Sequence, residues 1–150
     1  MSPTAGARQL HLSIGSRFDN IELVQHAIDD ALLAAGTSED TRHWIGLAIR
    51  EAVANAIKHG NLQDPRKAVD VDAEIGAGEI VIRVADRGHG FDPGGVRDPL
   101  APENRFRAGG RGIFYMRKLM DDVDFSFRPA GGTLVTMRKR LSAAENAPSS

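Results

Sequence analysis

The chain contains no cysteine, which excludes disulfides and thiol chemistry and leaves a cytoplasmic enzyme or regulator as the default. Neither sign of charge prevails. Nineteen Lys and Arg stand against twenty Asp and Glu, for a formal net charge of -1, so no overall basic field draws the chain to nucleic acid or anionic lipid. No run reaches the roughly eighteen apolar residues that a membrane-spanning helix needs. The opening MSPTAGARQL lacks the apolar core of a secretory signal. Internal repeats are absent too. What is present is a chain of 150 residues with 41% hydrophobic and 26% charged content, the size and make-up of one domain around one core.

The most informative stretch is Trp44 to Asn61, WIGLAIREAVANAIKHGN, which reads as one long helix. Ile45, Ala48, Ala52 and Ile57 follow the three-and-four spacing of a core-facing stripe. Glu51 and Asn55 are four residues apart and stack beside that stripe, with His59 one further turn on. A carboxylate and a carboxamide at the margin of an apolar face must be hydrogen-bonded or bound to something. The alternative, that both merely rim the helix in water, stays open on the helix alone.

Around this helix the chain divides by period. Residues Met1 to Ala7 are small, polar and expected to be loose. Gln9 to Gly15 alternates as a strand with Leu10, Leu12 and Ile14 on one side. Asp19 is placed to cap a helix over Ile21 to Ala35 that buries Ile21, Val24, Ile28, Ala31 and Leu32. Gly36 closes that helix and Thr37 or Ser38 caps the next. Val69 to Ile75 and Ile80 to Val84 alternate around Gly76-Ala77-Gly78-Glu79 as a hairpin. Asp92 to Gly110 is a Gly-, Pro-, Arg- and Asp-rich loop of the length that usually serves as a lid. Gly112 to Met120 returns to helical spacing, with Met116 and Met120 in the core. Val123 to Phe127 and Thr133 to Arg140 form a last pair of strands, and Ser142 to Ser150 is expected to be a disordered tail.

The expected domain is therefore 8–141, between a flexible 1–7 and a tail at 142–150. Its fold class is α+β, a two-layer α/β sandwich in which a mixed, mostly antiparallel sheet carries helices on one face. Trp44 is assigned to packing, and Lys118, Arg138, Lys139 and Arg140 to solvated faces.

Three polar clusters carry the chemistry: Glu51 with Asn55, then Asp86-Arg87-Gly88-His89-Gly90, then Gly109-Gly110-Arg111-Gly112. Neither glycine cluster has the spacing of a P-loop or a dinucleotide fingerprint. Asp86 ends a buried strand, where it can accept a hydrogen bond from an exocyclic amine. Gly88 and Gly90 would let backbone approach a flat ring closely, or serve only as turn glycines. Gly109 to Gly112 opens a helix, whose first amides form a ready anion site. Arg111 adds positive charge for phosphate oxygens, or pairs with Asp98 or Glu103. Asn55 offers a neutral oxygen to Mg²⁺, and Glu51 can take a proton from an attacking hydroxyl.

Taken together, EAVANAIKHGN, DRGHGF, GGRGIFYMRKLMDDV and GGT resemble the GHKL ATPase superfamily, matching its N box, G1 box, G2 box and closing Gly-Thr in order. The short lid and Met120-Asp121-Asp122-Val123 make the chain most similar to anti-sigma-factor serine kinases of the RsbW and SpoIIAB type. The likeness runs from about residue 8 to 140. It implies a histidine-kinase-like ATPase domain that binds ATP and Mg²⁺. Glu51 would be the general base toward a partner's serine, and Asn55 the Mg²⁺ ligand. Asp86 would hold the adenine amino group, with Gly88 and Gly90 shaping that pocket and Thr133 supporting its network. Gly109, Gly110 and Gly112 would face the phosphates beside Arg111.

The same resemblance implies partners: a STAS-type anti-anti-sigma factor as phosphorylation substrate, an RNA polymerase sigma factor to sequester, and a second copy in a homodimer. Direct contact with nucleic acid or membrane is not expected. None of the five histidines is followed by an acidic residue in the manner of a phospho-accepting histidine, so a complete sensor histidine kinase is not expected. The rival reading from a different class is a non-catalytic, ATP-gated regulator that binds a partner and transfers nothing.

Overall fold

The computed structural model describes residues 8–88 and 116–141, and within them period-two alternation builds a sheet. Its strands are β1 (Arg8–Gly15), β2 (Ala68–Ile75), β3 (Glu79–Ala85), β4 (Asp122–Phe127) and β5 (Thr133–Arg140). Their order in space is β1-β2-β3-β5-β4. The mixed, mostly antiparallel sheet expected from the sequence is antiparallel at every described pairing. Register places like with like: Val71 sits between Leu12 and Val84, and Ile82 between Ala73 and Met137. Slipping by one residue would turn that apolar row to solvent, which pins the pairing.

Two long helices among the described residues cover the apolar face. Helix α1 (Ile21–Ala34) buries Ile21, Val24, Ile28, Ala31 and Leu32, the stripe its spacing calls for. It ends in a Schellman turn, with the Thr37 amide on the Leu32 carbonyl, the Gly36 amide on Leu33 and Gly36 at φ +84°. Glycine takes that left-handed conformation without the Cβ clash. Helix α2 (Glu39–Asn55) starts at Ser38, whose side chain accepts from the Thr41 amide. Ile28, Ile45, Ile49 and Ile57 are at most 1% exposed, and each contributes about 1.5–3 kcal/mol by leaving water. Both helices and the inner sheet face form one core, which also takes in Met116 and Met120.

The outer sheet face is polar. His11 meets Asp72, Arg87 meets Asp70, and Arg138 meets Glu79. Among the described residues, β1 and β4 are the edges.

Several local expectations are corrected. Asp19 does not cap α1: it lies in a 3-10 turn, Phe18–Asn20, and the residue at the cap, Asn20, makes no capping bond. The Asn20 amide group instead donates to the Gly15 carbonyl, tying the helix start to the end of β1. Trp44 is 44% exposed and meets only the edge of the His43 ring among described aromatics, because it lies off the stripe that Ile45 and Ala48 define. Lys139 is not simply solvated, since its ammonium donates to the Leu119 carbonyl. The expected lid and the tail lie outside the described residues.

Candidate nucleotide site

The α-helical ladder stops at Asn55. The next five residues, Ala56–Gly60, form a π-helical turn, closed by the Asn61 amide on the Ala56 carbonyl at 2.8 Å. Such wide turns are rare and gather at functional sites. His59 therefore belongs to the wider turn and does not extend the Glu51–Asn55 stack in α register. Leu62 and Gln63 follow at φ 53° and 59°, two consecutive left-handed non-glycine residues. Each costs roughly 1–2 kcal/mol against ordinary backbone, so the exit from this helix is held in place by its surroundings.

What it is held against is Asp86. This residue follows β3, is 3% exposed, and is fixed on all sides. Its amide donates to the Thr133 carbonyl and its own carbonyl accepts from the Arg128 guanidinium at 2.9 Å. Its Oδ1 accepts from the amides of Gly88 and Thr133 at 3.0 and 3.1 Å. Three glycines pack around it. A Cβ on Gly60 would overlap the Asp86 carboxylate, one on Gly132 would overlap the Asp86 backbone, and one on Gly88 would overlap the Gly60 carbonyl. Gly132 is also at φ +105°. The carboxylate is thus seated against the last residue of the helix that carries Asn55.

Asn55 is 7% exposed, and Thr133 2%. Among the described residues, Asn55 Nδ2 and Thr133 Oγ1 are buried without a hydrogen-bond partner. An unpaired buried group of this kind costs about 1–3 kcal/mol, and a ligand that pairs with it removes the penalty. Glu51, one turn before Asn55 on α2, is half-buried.

The residues fit an adenine nucleotide with Mg²⁺. A fixed carboxylate beside an unpaired hydroxyl suits an amine-bearing ring. A carboxamide can turn either its nitrogen or its oxygen outward, and the oxygen suits a hard ion that retains water.

Of the residues marked in the sequence, Glu51 and Asn55 share one helix, while Asp86, Gly88 and Thr133 form one cluster against that helix's end. Gly90, Gly109, Gly110, Arg111 and Gly112 lie outside the described residues. Three contributors are assigned no role by the sequence. Gly60 and Asn61 close the EAVANAIKHGN match without an assigned task, and Arg128 is not singled out. The usable signal for Gly60 and Asn61 is their place in that motif, immediately after the Glu51–Asn55–His59 series; for Arg128 there is none. Arg87 carries a further local charge. Burial pushes the Asp70 carboxyl up, but hydrogen bonds from Arg87 and Ser13 outweigh it and hold the group below the usual carboxylate range.

Comparison with known proteins bears on the family and the fold. The chain is 28% identical over 116 residues to a serine-protein kinase RsbW of Oceanobacillus iheyensis, covering 73% of this chain and 72% of the relative. It is 27% identical over 139 residues to an anti-sigma F factor of the same organism, covering 91% and 95%. Among solved structures, the RsbU and RsbW domains of a Mycobacterium tuberculosis protein share the fold at TM-score 0.66 and 24% identity, over 89% of this chain but only 32% of that longer one. A chain of a SiaB–SiaC complex from Pseudomonas aeruginosa does so at 0.62 and 15%, over 87% and 88%. The histidine kinase-like ATPase domain matches residues 14–139, and the chain belongs to that family.

Proposed function

We propose that the protein is an ATP-dependent protein serine/threonine kinase and anti-sigma factor in a bacterial partner-switching circuit. It phosphorylates a STAS-type anti-anti-sigma partner and sequesters a sigma factor. The observation that carries this reading is the pairing of a glycine-cradled Asp86 with two buried side-chain atoms, Asn55 Nδ2 and Thr133 Oγ1, that have no partner among the described residues, in a chain of an ATPase domain family. The names of the relatives, serine-protein kinase and anti-sigma factor, support the activity and the partners.

In this reading each residue has a limited task. Asp86 accepts a hydrogen bond from the exocyclic amine of adenine. The same carboxylate repels guanine, which presents a carbonyl oxygen there, so the site selects ATP over GTP. Thr133 bonds the ring side through its hydroxyl. Asn55 would hold Mg²⁺ through its carboxamide oxygen, and the backbone amides of the glycine-rich 109–112 sequence, with Arg111, would supply donors for the phosphates. Bound ATP·Mg²⁺ supplies a transferable phosphoryl group whose charge the metal offsets. Glu51 accepts the proton of the partner's serine hydroxyl, and positioning with charge neutralisation does most of the remaining work.

The test is incubation with a cognate STAS protein and labelled ATP. Phosphoserine on the partner, lost in Glu51→Ala, is expected. ATP binding without any transfer would favour the ATP-gated regulator, and no ATP binding would overturn both.

A further inference from the structure

Asn61 is 1% exposed and has no part in the chemistry above, yet its side chain joins four separate stretches of chain. Its Nδ2 donates to the Ser16 hydroxyl at 2.9 Å and to the Ala68 carbonyl at 3.0 Å. Ser16 in turn donates to the Lys67 carbonyl at 2.6 Å. On the other side of the carboxamide, Oδ1 accepts from the Arg87 amide at 2.7 Å. Both ends of the group are satisfied, and the assignment of oxygen and nitrogen follows: only oxygen accepts from Arg87, only nitrogen donates to Ala68.

We propose that Asn61 is a positioning residue for adenine recognition, holding the Asp86–Gly88 turn through the Arg87 amide so that the Asp86 carboxylate keeps one orientation. The inference rests on the nucleotide reading of Asp86. The bonds at Asp86 fix its own amide, carbonyl and Oδ1 from β5, Arg128 and Gly88. Gly88 is the next residue but one in the same turn, so its bond moves with the turn and does not anchor it. The Arg87 amide hydrogen-bonds the turn to the helix side, beside the packing of Asp86 and Gly88 on Gly60, and Asn61 is its acceptor. The backbone on either side is shaped for this. The π turn closes on the Asn61 amide, and the two left-handed residues after it bring the Gln63 amide back to the Ile57 carbonyl at 2.7 Å. That reversal keeps Asn61 beneath the sheet ends instead of letting it continue along the helix.

The experiment measures ATP and GTP affinity by calorimetry on the full chain. Asn61→Ala should lower the ATP:GTP preference at least fivefold. Asn61→Asp keeps the acceptor for the Arg87 amide but loses every bond donated by Nδ2. It should melt below the parent yet hold the preference within twofold, a separation that a purely structural role would not give. With Arg128→Ala as the control for weakened acceptance at the Asp86 carbonyl, an ester in place of the 86–87 peptide bond, introduced with an α-hydroxy acid, deletes the Arg87 N–H and leaves Asn61 intact. It should reproduce the Asn61→Ala loss even where Asn61→Ala does not fold. A preference unchanged in Asn61→Ala or in the ester, or one lost equally in Asn61→Asp, overturns the inference alone. A parent protein that does not favour ATP over GTP overturns the nucleotide reading, and this inference with it.

Discussion

The Asp86 carboxylate lies directly against Gly60, the last residue of the π turn, with no room for a side chain between them. The contact joins the end of β3 to the helix that carries Glu51 and Asn55. It makes the position of an acid depend on the smallness of a residue twenty-six places earlier in the chain.

Gly60→Ala is therefore expected to displace the carboxylate. An ideal Cβ there would lie 2.8 Å even from Asp86 Cβ, so the neighbour must move. Overpacking of this kind costs about 1–3 kcal/mol. Thermal melts should shift down by several degrees, and calorimetry should show ATP affinity at least tenfold weaker. Gly46→Ala in mid-α2 is the control, because nothing lies within 4 Å of its Cβ. It should raise stability by about 0.5–1 kcal/mol through helix propensity and leave ATP affinity alone. Equal destabilisation by both would remove the steric account of Gly60.

Asn55 and Glu51 share a helix but are assigned different tasks, and kinetics separates them. Asn55→Ala should abolish Mg²⁺-dependent ATP binding. Glu51→Ala should bind ATP as the parent does and lose transfer by roughly 10²–10⁴-fold, the usual contribution of a general base. Parental nucleotide affinity in Asn55→Ala would remove its metal role.

Periodicity explains why most of the fold was legible. Alternation along β2 and β3 and the stripe of α1 are local signals, and the structure places each of those side chains in the core. The π turn was not legible, because Ala56-Ile57-Lys58-His59 is an ordinary helical run and nothing local announces a wider ring. Trp44 misled because an apolar residue on a helix says nothing of whether a neighbour reaches it. Asp86 could be read from its place at the end of an apolar strand. The burial of Asn61 could not, since its partners Ser16, Ala68 and Arg87 are brought together only by the sheet.

On the outer face, His11 Nδ1 lies 2.6 Å from Asp72. The hydrogen bond that His11 donates to Asp72, then the Asp72 charge, raise the His11 pKa above the ordinary 6.5. The protonated pair is favoured in the folded state, so its contribution is complete below pH 6.5 and fades as pH rises through the elevated pKa. Both groups are exposed, so the effect on global stability is small and weakens with salt. Histidine NMR titration should show the elevated value in the parent and its return toward normal in Asp72→Asn. An unmoved His11 titration in that variant would exclude the pair as its cause.

Thr133→Val separates folding from binding at a single atom. The Thr133 hydroxyl is buried and has no partner among the described residues, while its amide and carbonyl make the backbone bonds to Asp86. Valine keeps the shape, the backbone and the β-branched preference of a strand and replaces only the unpaired oxygen by a methyl. Exchanging an unsatisfied buried hydroxyl for an apolar group of the same shape is neutral or favourable. The ligand-free variant should be as stable as the parent, or more stable by about 1 kcal/mol. ATP, deprived of that hydroxyl, should bind about tenfold more weakly, a loss of roughly 1.4 kcal/mol. Denaturant midpoints and calorimetry on the same preparation check both signs together. A variant less stable than the parent would mean that the hydroxyl already serves the fold, and the case for its meeting a ligand would fall.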